Sequence, residues 1–241
     1  MVDIVTVKWG LSYLMQTYLV AAKHSWNKRA YERCSTRLPG HWALITNPAE
    51  FSLELVRDLN PRYIFFPHWS AQVSAEIVRD YECVCFHMTD VPYGRGGSPL
   101  QNLIARDHKS TKLTALRMTE NFDEGPVYQK RSIMLDGAAH AIFERVALLT
   151  WDMIADIVEQ EPVPLPQVGI PVVFKRRRPD ESCIPERGEL VTLFDHIRML
   201  DADGYPRAYL NYGGWTIEFR DAEMDDSCVK ARVKITSLSK V

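Results

Sequence analysis

The chain has 241 residues, 46% of them hydrophobic and 25% charged, with a formal net charge of −2. This is an ordinary globular composition, and the length is enough for one large domain and a small additional piece. Because the charges nearly balance, no overall field draws the chain to nucleic acid or an anionic membrane, and we expect neither as a partner.

Strand and helix patterns alternate along the first third of the chain. Strands are predicted at residues 3–7, 42–46, 62–67 and 82–88, and helices at residues 11–23, 48–59 and 74–80. Buried strands separated by helices are typical of a parallel sheet covered on both faces. The segment KWGLSY after the first predicted strand lacks GxGxxG spacing, which argues against a dinucleotide-binding fingerprint.

A loop and a second group of elements follow. Pro92 and three glycines predict a loop over residues 89–97, and Ser98 followed by Pro99 predicts the start of a helix that ends near residue 106. Further strands are predicted at residues 112–118 and 127–134, with the turn NFDEG between them, and a long helix with one apolar stripe at 138–161. We therefore predict an α/β fold with a Rossmann-like, mostly parallel sheet.

The remaining residues predict a linker and a small subdomain. The proline-rich run PVPLPQVGIP reads as a semi-rigid linker and is followed by the basic run FKRRRP. The tail has a predicted helix at residues 190–200 and strands near 215–219 and 229–235. The predicted domains are therefore residues 1–161, a linker and basic segment at 162–187, and a small α+β subdomain at 188–241.

The cysteines and the hydropathy pattern indicate the compartment. The five cysteines are odd in number and scattered, and no His or Cys pair completes a zinc pattern. The first residues lack a signal-peptide pattern, and no apolar run approaches a membrane span of about 18 residues. We expect a cytoplasmic protein with free thiols and no metal.

Polar side chains follow three predicted strands. His68 follows RYIFFP, His87 follows ECVCF, and Asp123 lies in the turn after KLTALRM. Ligands bind outside the carboxyl ends of strands in an open parallel sheet, and a His beside an Asp is suited to proton transfer. Alternatively, a single His at a strand end is a structural residue, and an Asp in such a turn is only a turn former.

The spacing of these residues resembles that of the folate-dependent formyltransferases. The first hallmark of that family is a His, a proline loop, an Arg-Gly pair and a helix that opens with a small residue and Pro; here these are His87, Pro92, Arg95, Gly96, Ser98 and Pro99. The second is a Thr-containing strand before an Asp-x-Gly turn; here these are Thr114, Met118, Asp123, Gly125 and Pro126. The resemblance covers residues 82–130, and the order of elements agrees to residue 161.

The resemblance implies direct transfer of a formyl group from N10-formyltetrahydrofolate to an amine, without a metal. It implies that His87 and Asp123 are catalytic, and it raises His68 as an additional candidate. The residues expected to contact the folate are Phe86, Met118, Asp123, Glu124 and Gly125. Those expected to contact the acceptor are Tyr93, Gly94, Arg95, Gly96, Gly97, Ser98, Gln101, Lys175 and Arg176.

One position departs from the family pattern. The family has an Asn two residues before the His, where this chain has Cys85. By resemblance, that Asn helps to hold the oxyanion, and a thiol is a weak donor. Loss of such a donor typically costs on the order of 10²–10³ in rate. Either activity is low, or another donor replaces it; His68 is the candidate, and a backbone N–H is the alternative.

The length of the tail and the basic run resemble the sugar N-formyltransferases within this family. We therefore expect the acceptor to be the amine of a nucleotide-linked 4-amino-4,6-dideoxyhexose for surface polysaccharide, with Lys175 and Arg176 near a diphosphate. The alternatives are another small amine, including an aminoacyl group, or a module that binds but turns over weakly. A homodimer through the C-terminal segment is also expected.

Overall fold

The computed structural model describes residues 16–238. The strand predicted at residues 3–7 and the beginning of the helix predicted at residues 11–23 lie outside these residues. The strands, in chain order, are β1 (Thr17–Ala21), β2 (His41–Ile45), β3 (Tyr63–Pro67), β4 (Cys83–His87), β5 (Tyr93–Gly96), β6 (Ser110–Arg117), β7 (Val127–Met134), β8 (Val172–Phe174), β9 (Ala208–Tyr212), β10 (Trp215–Met224) and β11 (Val229–Ser237). The α-helices are α1 (Ser25–Cys34), α2 (Leu53–Leu59), α3 (Ala75–Asp80), α4 (Pro99–Ile104), α5 (Ala139–Gln160) and α6 (Leu190–Arg198).

The central sheet has six strands in the order β2-β1-β3-β4-β6-β7. The first four strands are parallel, whereas β6 runs antiparallel to β4 and β7 antiparallel to β6. The predicted α/β fold with a mostly parallel sheet is confirmed. Because β2, β3 and β4 each follow a helix in sequence, the carboxyl ends of the parallel strands lie at one edge of the sheet, where loops are free to carry functional groups.

Alternating side chains of the strands divide the core into two clusters. On one face, Tyr18, Phe65 and Phe86 pack with the long helix α5, whose apolar stripe includes Ile154. On the other face, Ile64 and its neighbours pack with residues of α2 and α3. The side chains of Cys83 and Cys85 belong to this second face. Successive side chains of β4 therefore pack alternately on the two faces of the sheet.

The helix predicted at residues 11–23 is wrong over its described part. Thr17–Ala21 is the central strand β1, paired on both sides, and Tyr18 to Ala21 are at most 1% exposed. A short run that is apolar at every position does not distinguish a buried strand from a buried helix. Helix α1, which follows β1, had no predicted counterpart.

Two segments predicted as irregular contain strands. The predicted loop at residues 89–97 contains β5, which pairs in parallel with β8. The proline-rich segment leads directly into β8, and Leu165 within it exchanges two backbone hydrogen bonds with Val127, at 2.7 and 2.8 Å. Proline removes a donor but still permits an edge pairing. The segment is therefore joined to the strands that precede α5 at Leu165 and again through β8.

The last part of the described chain is a three-stranded antiparallel sheet, β11-β10-β9, with α6 packed against it. The predicted helix and both predicted strands of the tail are present, and β9 is additional. No helix among residues 16–238 is long and apolar enough to cross a membrane.

Candidate active site

His87 lies at the carboxyl end of β4, and its side chain is 9% exposed. Its Nε2 is 2.8 Å from the backbone oxygen of Gly94. A carbonyl oxygen can only accept a hydrogen bond, so Nε2 carries a hydrogen and donates it. The imidazole is therefore held in one orientation by the loop that follows it, and its other nitrogen, Nδ1, is left for a second partner.

That second partner is Asp123, whose Oδ1 is 3.4 Å from Nδ1 of His87. Asp123 has a φ of 57°, in the left-handed region that Asp tolerates better than most residues. Its other oxygen, Oδ2, accepts a hydrogen bond of 2.9 Å from the backbone N–H of Gly96. The predicted catalytic pair is thus brought together in the structure, although its two members are far apart in sequence.

The geometry places the pair for proton transfer. Because Nε2 of His87 donates to Gly94, Nδ1 is the ring nitrogen that faces Asp123. A His held beside a carboxylate can take a proton from, or return it to, a reacting nitrogen nearby.

The glycines of this loop allow the backbone to approach the pair. Gly94 and Gly96 have φ values of 79° and 98°, which other residues rarely adopt. A Cβ on Gly96 would lie 2.6 Å from the backbone oxygen of Phe174 in β8. The loop therefore has no space for a side chain at Gly96, and its amide remains directed at Asp123.

Arg95 belongs to a polar network under the Asp123 turn. Its Nε and Nη2 donate to Oε1 of Gln167 at 3.1 and 2.9 Å, and its Nη1 donates to Glu124 at 3.0 Å. The Nε2 of Gln167 donates to the backbone oxygens of Asp123 and Gly125, both at 2.8 Å. Sequence reasoning missed Gln167; the only signal was that it is the one polar side chain in the proline-rich run.

Cys85 lies two residues before His87, on the same face of β4, and packs against the second core cluster. Burial, together with the negative charge of Asp123, raises the pKa of its thiol. The thiol therefore stays protonated and is available only as a weak hydrogen-bond donor beside the pair. Cys85 thus lies on the face of β4 that carries His87, where the family pattern implies an Asn that contacts the reacting groups.

His68 does not join the pair in this structure. Register pairs Pro67 with Phe86, so an extended strand would direct His68 to the same face as His87. The φ of His68 is 54°, which reverses the direction of its side chain. Its Nε2 instead lies 2.6 Å from the hydroxyl of Tyr205, and its ring packs against Phe143.

Three of the residues predicted to contact a ligand have side chains that are engaged within the protein. The side chain of Phe86 packs into the first core, and Gln101 is 2% exposed and donates to the backbone oxygen of Met199 at 3.0 Å, so neither side chain is directed at a ligand. The prediction that the side chain of Ser98 caps α4 is wrong. Its φ is 51°, and its Oγ accepts from the backbone N–H of Arg177 at 3.0 Å.

The remaining predicted residues surround the pair or lie at the surface. Tyr93 donates to, or accepts from, His108 at 3.0 Å, and Gly97 donates its backbone N–H to Phe174 at 3.1 Å. Lys175 and Arg176 are exposed at the end of β8. Asn102, which sequence reasoning missed, bonds the backbone oxygens of Gly97, Ser98 and Lys175, each at 3.0 Å, and so joins the two segments.

Met118, a predicted folate contact, packs against the second core cluster, as Cys85 and Trp69 do. The indole N–H of Trp69 is buried and has no hydrogen-bond partner among the described residues. No group of three or more potential metal ligands occurs among residues 16–238.

The chain matches a family model described as the C-terminal domain of methionyl-tRNA formyltransferase, over residues 179–236. It is similar to a solved structure of a methionyl-tRNA formyltransferase from Clostridium thermocellum, with 40% identity, a TM-score of 0.90, and coverage of 92% of this chain and 100% of the other. A methionyl-tRNA formyltransferase from Caldanaerobacter subterraneus is 28% identical over 120 residues, which are 48% of this chain and 38% of that protein. The chain thus spans well under two thirds of the curated relatives it matches.

A sheet of this order with a His–Asp pair at its carboxyl edge is the arrangement expected of a formyltransferase. The similarity to the Clostridium thermocellum protein makes the class specific. The chain belongs to the folate-dependent formyltransferase family, whose formyl donor is N10-formyltetrahydrofolate.

The nucleotide-sugar acceptor inferred from the length of the tail is wrong. A sugar N-formyltransferase from a Shewanella species is only 16% identical, with a TM-score of 0.64 and coverage of 86% of this chain and 97% of the other, which shows a shared fold alone. The inference required a larger C-terminal domain in a tRNA enzyme, yet the chain covers all of the Clostridium thermocellum structure. Part of the basic run is also engaged internally, since Arg178 pairs with Asp180 at 2.8 Å.

Proposed function

We propose that the chain transfers the formyl group of N10-formyltetrahydrofolate to the amino group of an aminoacyl-tRNA, of the methionyl-tRNA type. The observation that carries the proposal is the match over residues 179–236, because the model matched there is described as the C-terminal domain of methionyl-tRNA formyltransferase. The 40% identity to the Clostridium thermocellum enzyme supports it along nearly the whole chain.

The surface of the C-terminal sheet supports a polyanionic acceptor in spite of the balanced net charge. Lys230, Arg232 and Lys234 alternate along β11 and therefore share one face, with side chains that are 73%, 77% and 68% exposed. Their acidic partners lie at 3.4 to 3.8 Å. Exposed ion pairs of this kind contribute little free energy, so phosphates can replace the acids.

The residues of the site have distinct parts in this reaction. The folate supplies the formyl group, and Met118, Glu124 and Gly125 remain its proposed contacts beside Asp123. An amine must be neutral to attack. The His87–Asp123 pair is placed to accept the proton that the amine loses when it is acylated. The same pair then holds that proton for the departing nitrogen, so the proton is conserved across the exchange.

The test is a direct comparison of acceptors. The purified chain is given N10-formyltetrahydrofolate with methionyl-tRNA, free methionine or a nucleotide-linked 4-amino-4,6-dideoxyhexose, and the formylated products are measured by mass spectrometry. We expect formylmethionyl-tRNA, with a rate that falls steeply as salt rises because phosphate contacts are screened.

The control reaction uses Asp123→Asn protein under the same conditions and is expected to yield little product. Turnover of the nucleotide sugar with none of methionyl-tRNA would contradict the proposal. A homodimer is also still proposed, from the apolar side chains of the C-terminal strands, and a monomer mass by light scattering at micromolar concentration would refute it.

A further inference from the structure

A single side-chain amide, that of Gln167, connects the turn of Asp123 to the loop of Arg95. Its nitrogen donates to two backbone oxygens of the turn, and its oxygen accepts from two guanidinium nitrogens. The orientation of the amide is fixed, because a guanidinium can only donate and a carbonyl can only accept. All of its strong hydrogen-bonding positions are directed at the catalytic loops.

The backbone places Gln167 firmly. Two residues earlier, Leu165 pairs with Val127 through backbone hydrogen bonds of 2.7 and 2.8 Å, and five residues later Val172 donates to Pro92 at 3.0 Å. The segment is thus held on both sides of Gln167. The amide therefore acts as a fixed support and does not depend on a mobile side chain finding its partners.

The turn that Gln167 holds needs such a support. Asp123 has a left-handed backbone, which costs a non-glycine residue free energy unless its surroundings hold it. The oxygens of Asp123 and Gly125 both point at the one nitrogen of Gln167, and these two dipoles repel each other without a donor between them. Without the amide we expect the turn to relax and the Asp123 carboxylate to move away from His87.

We propose that Gln167 is a positioning residue for formyl transfer, acting through the backbone of the Asp123 turn; the inference rests on the proposed function for its catalytic part. It adds a residue of the proline-rich segment to the working parts of the active site. Its role is to keep the Asp123 carboxylate within reach of His87 while the acceptor and the folate bind.

Two substitutions separate the halves of the amide. Gln167→Met keeps the length of the side chain and removes every hydrogen bond. Gln167→Glu keeps an acceptor for Arg95 but replaces the donor with an oxygen that faces two carbonyl oxygens. The matched control is Gln129→Met, which removes one amide hydrogen bond, of 2.9 Å to the backbone oxygen of Met153, away from the site.

We expect both Gln167 variants to lower kcat by about 10- to 100-fold, because a shift of about 1 Å in a catalytic group has this order of effect. The loss should fall mainly on kcat, with KM for the folate and for the acceptor rising by less than about 10-fold, since the turn and Arg95 supply only part of the expected ligand contacts. Gln129→Met should retain wild-type kcat. Full activity of Gln167→Glu, or an equal loss in Gln129→Met, would overturn the proposal.

A double-mutant cycle tests whether Gln167 acts through Asp123. In an Asp123→Asn background, Gln167→Met should cost less than about 3-fold, because the group that it positions is already disabled. Additive losses would contradict this route.

Hydrogen exchange gives a readout that needs no turnover. The Gly96 amide, which donates to Asp123, should exchange at least about 10-fold faster in Gln167→Met than in the wild type, since this bond opens when the turn relaxes. If the unmodified chain transfers no formyl group, the proposed function fails, whereas the exchange of this amide still decides whether Gln167 holds the turn. Unchanged exchange would refute the positioning role itself.

Discussion

Gly125 is the most sterically constrained glycine of the active site, and its substitution by Ala tests the geometry of the Asp123 turn. A Cβ at this position would lie 1.7 Å from the backbone oxygen of Arg117, at the end of β6. An ordinary carbon–oxygen contact needs about 3.3 Å, so the turn and the strand must separate by roughly 1.5 Å. The obstacle is backbone on both sides and cannot rotate away.

The consequence for catalysis follows from the distance between Gly125 and Asp123, which are two residues apart in the turn. The backbone N–H of Arg117 donates to Pro126 at 2.9 Å and holds the turn against β6, so the strand cannot yield easily. Displacement of the Asp123 carboxylate by about 1 Å is expected to lower kcat by about 10²-fold. Strain of this kind also costs about 1–3 kcal/mol of stability.

The assay compares kcat, KM and the unfolding midpoint of Gly125→Ala with those of Gly188→Ala. The control also adds one methyl group, but its nearest neighbour would be Cβ of Thr192, at an ordinary 3.9 Å. We expect the control to resemble the wild type in all three values. A folded Gly125→Ala protein with kcat within about 3-fold of wild type would refute the account of the turn given above.

Further predictions concern five other side chains. His87→Ala and Asp123→Asn should each lower kcat by at least about 10²-fold with little change in acceptor affinity, as loss of a proton-transferring group does; near-normal turnover of either folded variant would disprove the assignment. Burial lowers the pKa of His68 from 6.5 to about 3. The unfolded chain therefore binds a proton that the folded chain does not, and stability should fall by up to about 1.4 kcal/mol per pH unit as pH drops from about 6 to 4. Urea unfolding at both pH values measures this, and a His68→Phe protein with the same pH dependence would contradict it. His68→Ala should reduce kcat only a few-fold, because the imidazole is bonded to Tyr205 and not directed at the pair. Finally, iodoacetamide at pH 8 should label the exposed Cys183 and leave the half-buried Cys85 unlabelled, since the raised pKa of the Cys85 thiol suppresses the thiolate; early labelling of Cys85 by peptide mass mapping would count against its placement.

The sequence predicted the sheet well where strands are bounded by clear turn signals. Strands β2, β3, β4, β6 and β7 lie within two residues of their predicted positions. It failed at β1, because a strand buried on both faces has no alternation and its apolar residues also fit helical spacing. It also failed at β8, whose pairing with β5 joins residues about 80 positions apart and leaves no local pattern.

The catalytic pair could be predicted because His87 and Asp123 each follow a strand end, and adjacent strand ends meet at one edge of the sheet. His68 satisfied the same rule, and a single left-handed residue was enough to turn its side chain to the opposite face. Gln167 could not be predicted in this way, because it follows no strand end and its proposed function depends on a tertiary contact between a proline-rich segment and a turn. The acceptor class was wrong because it was inferred from the length of the tail and not from residues that would contact the acceptor.

The path of residues 162–174 has a consequence for how this protein can be divided or recombined. A boundary after residue 161 looks natural, because a long helix ends there and prolines follow. A chain cut at that point would lose Leu165, Gln167 and the whole of β8, and with them the edge pairing of β5 and the amide under Asp123. A chimaera that exchanges the C-terminal segment would therefore have to keep residues 162–174 with residues 16–161 to preserve these contacts.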